Sequence, residues 1–111
     1  MLEEVVAIEN LPDLVTVPGV DVYFIGSGDL SQSMGLTGQQ AHPDVQDVME
    51  RGIKIITGAG RIAGCSCPDN LIPKFLGLGV QYFHSGVNRL LQQSSEAYLK
   101  TVRQAAAAAG R

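Results

Sequence analysis

Apolar residues fall in short blocks along the chain, and glycine or proline closes most of them. Val20, Val22, Phe24 and Ile25 form the densest block, just ahead of Gly26. A run this apolar and this rich in β-formers predicts a strand buried on both faces, as in a parallel sheet. From Pro43 the spacing changes. Val45, Val48, Met49, Ile53 and Ile56 recur at helical intervals. Pro43 suits a first helical position, Asp44 lies in the first turn, and Gly58 and Gly60 mark the stop. "RIAGCS" then reads as a second strand. "PDNLIPKFLGLG" reads as a short helix with Pro73 in its first turn and Leu71, Ile72, Phe75 and Leu76 on its apolar face. "VQYFHS" reads as a third strand. From Val87 to about residue 109 a long helix is predicted, with Val87, Leu90, Leu91, Tyr98 and Val102 on one side and an alanine tail. At the front, "EEVVAIENLPDLVTV" reads as helix, interrupted or restarted at Pro12.

The order is helix, strand, helix, strand, helix, strand, helix. Such alternation implies parallel strands joined by right-handed crossovers, an α/β fold. With 111 residues there is room for one small domain with a modest core. At 45% hydrophobic and 17% charged the chain is expected to fold. A net charge of −3 gives no basic footprint for nucleic acid. No apolar run reaches the roughly 18 residues of a membrane span, so no membrane partner is expected. "MLEEVV" lacks the basic flank of a signal peptide. Cys65 and Cys67 are one residue apart, too close for an ordinary mutual disulfide. A reducing, cytoplasmic setting is the expectation.

In parallel α/β folds chemistry collects at the carboxyl ends of strands. Asp29 follows "VYFIG" directly and belongs to that face. Gly26 and Gly28 let the backbone turn tightly and leave amide N–H groups open to an anion. The plainer alternative is a turn at Ser27-Gly28-Asp29, with Asp29 capping a short helix over "LSQSMG". A second acid bears on the choice. If Leu2-Glu3 is the tail of a preceding strand, Glu3 and Asp29 end consecutive parallel strands about one βα unit of 30 residues apart. Neighbouring strands lie about 4.8 Å apart, and two carboxylates at that range repel unless a cation sits between them. An all-oxygen site of this kind suits Mg²⁺ or Mn²⁺.

The stretch "LEEVVAIENLPDLVTVPGVDVYFIGSGDLSQSMGLTGQQAHPDV", with "FIGSGDLS" at its centre, and the later "LGLGVQYFHSGVNRLL" resemble the HpcH/HpaI aldolase / citrate lyase family. These are metal-dependent class II aldolases of 4-hydroxy-2-oxo acids. The resemblance implies the C-terminal half of a (β/α)₈ TIM barrel of roughly 250 residues, with the N-terminal half absent. It implies Glu3 and Asp29 as metal ligands, and Ser27, Gly28 and Asp29 as the backbone cradle for a substrate carboxylate. It also implies a pyruvate-type 2-oxo acid as small-molecule partner, Mg²⁺ or Mn²⁺ as cofactor, and a homo-oligomer that exchanges its last helix. The family's general base and substrate-binding arginine lie in the other half, so impaired activity is expected. Two departures stand out: Ser27-Gly28 replaces the usual Pro-Ala, and Asn88 stands where the family usually has Asp.

The remaining candidates read as structural. His42 suits a helix start, His84 a partly buried, hydrogen-bonded strand residue, and Arg61 and Lys74 solvated charges. Two thiols alone make a poor metal site. Two rival functions stay open: a non-catalytic half-barrel that acts only by pairing, and a malyl-CoA or citryl-CoA type lyase of the same superfamily.

Overall fold

The computed structural model describes residues 1–111. Its elements run α1 (Val5–Glu9), α2 (Leu11–Leu14), β1 (Val22–Ile25), α3 (Ser27–Ser33), α4 (Pro43–Gly58), β2 (Ile62–Cys65), a 3₁₀ turn (Asp69–Leu71), α5 (Ile72–Gly77), β3 (Val80–Phe83) and α6 (Val87–Ala108). The three strands are parallel in the order β1-β2-β3. Leu2 pairs with Ile25 on the far side of β1, also in parallel, and so marks a fourth strand position. The expected alternation is therefore present. The helix after β1 begins at Ser27, three residues before "LSQSMG", and Asp29 lies inside its first turn rather than at the cap.

The core lies between the sheet and α4, closed by α1, α2 and α5. Ile25, Leu11, Met49, Ile53, Ile56 and Phe75 are fully buried there. Apolar spacing along α4 dictates this: one turn after another presents Val45, Val48 or Met49, Ile53 and Ile56 to β1 and β2. His42 caps α4, its Nδ1 accepting the Asp44 N–H at 3.2 Å, so a helix-start role is what it performs. Gly60, at φ +71°, ends the helix, and the Arg61 N–H returns to the Ile56 carbonyl at 3.0 Å. The Arg61 side chain is not simply solvated. Its Nε donates to the Val15 carbonyl at 3.0 Å and ties down the loop after α2. Lys74 pairs with Glu50 at 3.1 Å.

The expected burial of β1 on both faces does not hold, since Val22 and Phe24 are only half-buried while Tyr23 and Ile25 are buried, and β3 is more open still. Tyr82 on β3 is 52% exposed, because nothing in this chain lies over the inner face of the sheet. There Phe24 and Tyr82 meet edge to face, 5.8 Å between ring centres, and Phe24 also meets His84 at 6.3 Å. His84 is exposed, not partly buried. α6 departs furthest from a packed element. It has no buried residue, and Val87, Leu90, Leu91, Tyr98 and Val102 are all open to solvent. The molecule measures 64 × 27 × 21 Å with a radius of gyration of 18.0 Å. A compact chain of about 100 residues has roughly 13 Å. Much of the difference is α6, which projects from the rest.

Candidate functional site

The carboxyl ends of the strands hold two recesses of different character. The first is built by the pairing of Leu2 against β1. The Leu2 N–H donates to the Phe24 carbonyl at 2.7 Å, and the Gly26 N–H donates to the Leu2 carbonyl at 3.0 Å. This register puts Glu3 beside Gly26. A Cβ added at Gly26 would stand 3.2 Å from both Cγ and Oε1 of Glu3, so glycine is what leaves room for that side chain. Asp29 enters from the first turn of α3. Glu3, Glu4, Asp29, Gln32 and Ser33 line a cleft of about 500 Å³ with no apolar side chain in it. The Val5 N–H donates to Ser33 Oγ at 3.1 Å and fixes the start of α1 against the end of α3.

Glu3 and Asp29 line the same cleft, and Asp29 acts on the Glu3 carboxyl. The Glu3 carboxyl is held above its ordinary value of 4.5 by partial burial, then by a hydrogen bond to Asp29 and by the negative charge of Asp29. A proton between two carboxylates occupies the place a cation would take. The pair therefore fits a divalent ion. No cluster of three or more His, Cys, Asp or Glu side chains is placed to hold a metal. Mg²⁺ is commonly held by one or two carboxylates, with water and substrate oxygens completing its shell.

Ser27 and Gly28 turn toward the second recess. The Ser27 N–H donates to Ser66 Oγ at 3.2 Å, and the two serine hydroxyls are also 3.2 Å apart. That amide already has its partner within the chain. The Gly28 and Asp29 N–H groups lie in the first turn of α3, where a helix offers no backbone acceptor. Ser31 Oγ donates to the Gly28 carbonyl at 2.6 Å and steadies the turn. A cavity of about 370 Å³ opens beyond, with Gly28, Gln40, Ser66, His84 and Arg89 in its wall. Ser66 and Arg89 were not among the sequence candidates. Ser66 was in principle legible, since it directly follows β2 at its carboxyl end. Arg89 was not, because only the fold brings the start of α6 to the mouth of the sheet. Burial pushes the Cys65 thiol up to about 12, with the adjacent Cys67 adding to the shift, and burial also raises Cys67. Both are free thiols, protonated at neutral pH.

Parallel strands alternating with helices, with acids gathered at the strand ends, give the arrangement found in part of an α/β barrel. Residues 1–91 match the HpcH/HpaI aldolase/citrate lyase family model, and the chain belongs to that family. It is 38% identical over 90 residues to a hydroxypyruvate/pyruvate aldolase of Cupriavidus necator, covering 80% of this chain and 34% of that protein. It is 40% identical over 93 residues to a 4-hydroxy-2-oxo-heptane-1,7-dioate aldolase of Shigella sonnei, covering 82% of this chain and 36% of that one. A crystal structure of an HpcH/HpaI aldolase/citrate lyase family protein from Burkholderia cenocepacia superposes with a TM-score of 0.83 at 27% identity, over 92% of this chain and 40% of that chain. The chain thus spans about a third of the length of the curated relatives it matches. No helix is long and apolar enough to cross a membrane.

Proposed function

We propose that the chain supplies the metal- and carboxylate-binding part of an aldolase that cleaves or forms 4-hydroxy-2-oxo acids, with pyruvate as product or nucleophile. The observation that carries this reading is the meeting of Glu3 and Asp29 at adjacent parallel strand ends, in an all-polar cleft. Family membership and the names of the relatives support the reaction class. Glu3 and Asp29 would hold Mg²⁺ or Mn²⁺. When bound, such an ion supplies Lewis acidity toward the oxygens of an enolate. The Gly28 and Asp29 N–H groups would receive the carboxylate of the 2-oxo acid and fix its orientation, with Ser27 holding the turn through Ser66. Removal of the hydroxyl proton requires a base near the substrate. His42 is committed to its helix cap, and neither histidine reaches the acidic cleft. The chain by itself is therefore read as binding metal and 2-oxo acid while turning over slowly. A positioned base is worth roughly 10² to 10⁴ in rate.

The exposed apolar side of α6 supports a second element of the proposal, association into a homo-oligomer through that helix. The test of the site is Mn²⁺ binding followed by electron spin resonance or calorimetry. Asp29→Ala is expected to weaken Mn²⁺ at least tenfold and to abolish metal-dependent pyruvate binding. Unchanged Mn²⁺ affinity in that variant would end the reading.

A further inference from the structure

Ser27 and Ser66 follow neighbouring parallel strands, and the register that sets Ile25 beside Cys65 brings them together. The Ser66 N–H donates to the Ile25 carbonyl at 3.2 Å, so its backbone is tied to β1. Its Oγ accepts the Ser27 N–H at 3.2 Å, and the two hydroxyl oxygens are 3.2 Å apart. A serine hydroxyl carries one hydrogen and two lone pairs. The contact between the two hydroxyls uses one of their two hydrogens, so the other must leave the pair. Ser27 is 4% exposed, and its hydroxyl meets no acceptor but Ser66 Oγ. A buried donor without a partner is costly, so the Ser27 hydroxyl donates to Ser66 Oγ. Ser66 Oγ then accepts twice, from the amide and from the hydroxyl of Ser27, and its own hydrogen is turned away from both. Ser66 stands in the wall of the cavity beyond Gly28, where no carboxylate of the chain competes for that hydrogen. Ser27 occupies the place of the family's usual proline, which has neither an N–H nor a hydroxyl, so this pair is a feature of the present chain.

We infer that Ser66 is a substrate-binding residue, whose hydroxyl, aimed by Ser27, donates a hydrogen bond to the carboxylate of the 2-oxo acid. The inference rests on the aldolase reading above, which puts that carboxylate at Gly28, next to Ser27 and in the same cavity wall as Ser66. An ionised carboxylate only accepts hydrogen bonds, so it matches a hydrogen that has no acceptor inside the protein. A hydroxyl donating to a charged oxygen makes a stronger bond than one donating to a neutral oxygen. The donor is also oriented before the ligand arrives, because both lone pairs of Ser66 Oγ are already engaged by Ser27. Less freedom is then lost on binding than for an unrestrained hydroxyl. A hydrogen bond to a charged group corresponds to about a tenfold gain in affinity or more.

The probe is pyruvate, titrated by calorimetry into the 111-residue chain with saturating Mn²⁺, and Mn²⁺ affinity without pyruvate is measured beside it. Ser66→Ala is expected to weaken pyruvate about tenfold while Mn²⁺ affinity stays in place, which also shows that the variant is folded. A residue that only propped the turn would move both affinities, because Asp29 sits in the same turn of α3. Ser66→Thr keeps a hydroxyl at this position and is expected to retain most of the pyruvate affinity. Pyruvate affinity that survives Ser66→Ala, or equal losses of metal and pyruvate in that variant, overturns the inference, while binding by the unaltered chain leaves the aldolase reading standing. Absence of pyruvate binding by the unaltered chain overturns both.

Discussion

α4 and α6 are the two long helices of this chain, both amphipathic, and their surroundings differ completely. α4 buries Val45, Val48, Met49, Ile53 and Ile56 against the sheet. α6 is six residues longer, 22 against 16, and buries nothing. Its helical state is explained locally, by an alanine-rich tail and pairs such as Gln92 Nε2 to Glu96 Oε1 at 2.8 Å. An apolar stripe thus shows which side of a helix seeks cover but not what covers it. For α4 the cover is two strands of the same chain. For α6 nothing in this chain supplies cover, which is why the oligomer proposal attaches to this helix.

The sharpest way to break this contrast is to truncate one apolar side chain in each helix. Ile53 is fully buried, and Ile53→Ala is expected to cost about 2–5 kcal/mol in urea unfolding followed by circular dichroism. Leu91 is 61% exposed, and Leu91→Ala should stay within about 0.5 kcal/mol at protein concentrations too low for association. Equal losses would mean that α6 is packed on its own chain. The next test sharpens the contrast rather than breaking it. Leu91→Glu should shift the chain from oligomer to monomer in light scattering while leaving the unfolding midpoint of the dilute protein in place. An unaltered oligomer would move the association surface away from α6.

The same contrast explains what the sequence made legible. Strand and helix positions followed from short-range spacing, because β1, α4 and β2 satisfy their patterns within neighbouring segments. The pairing of Glu3 with Asp29 could be argued because both follow a strand directly. What escaped was set by long-range approach. Ser66 takes the Ser27 amide across 39 residues, and Arg89 reaches the cavity only because β3 delivers α6 there. His84 was misjudged for a related reason. Late in an apolar strand it looked partly buried, yet it lies on the uncovered face of the sheet beside Phe24. Strand pattern gives alternation, but the layer beyond the sheet decides whether a given side is covered.

The smallest expected effect concerns Glu3, and it tests the site without any assay of turnover. Its carboxyl sits above 4.5 in the folded chain, from partial burial, a hydrogen bond to Asp29 and the charge of Asp29. The folded state therefore holds the proton more tightly than the unfolded one. Stability from this group is fully present below about pH 4.5 and is lost as pH rises through the folded value. Asp29→Asn removes the repelling charge, so the Glu3 pKa should fall back toward its ordinary value in a carboxyl NMR titration. The loss of stability across that interval should shrink with it. Added Mn²⁺ should act on the wild-type protein in the same direction, raising its stability at neutral pH, and should do far less for Asp29→Asn. A Glu3 titration that ignores both the substitution and the metal would show that the two carboxylates do not share a site. The case for metal binding at these strand ends would then fail, whatever the barrel resemblance.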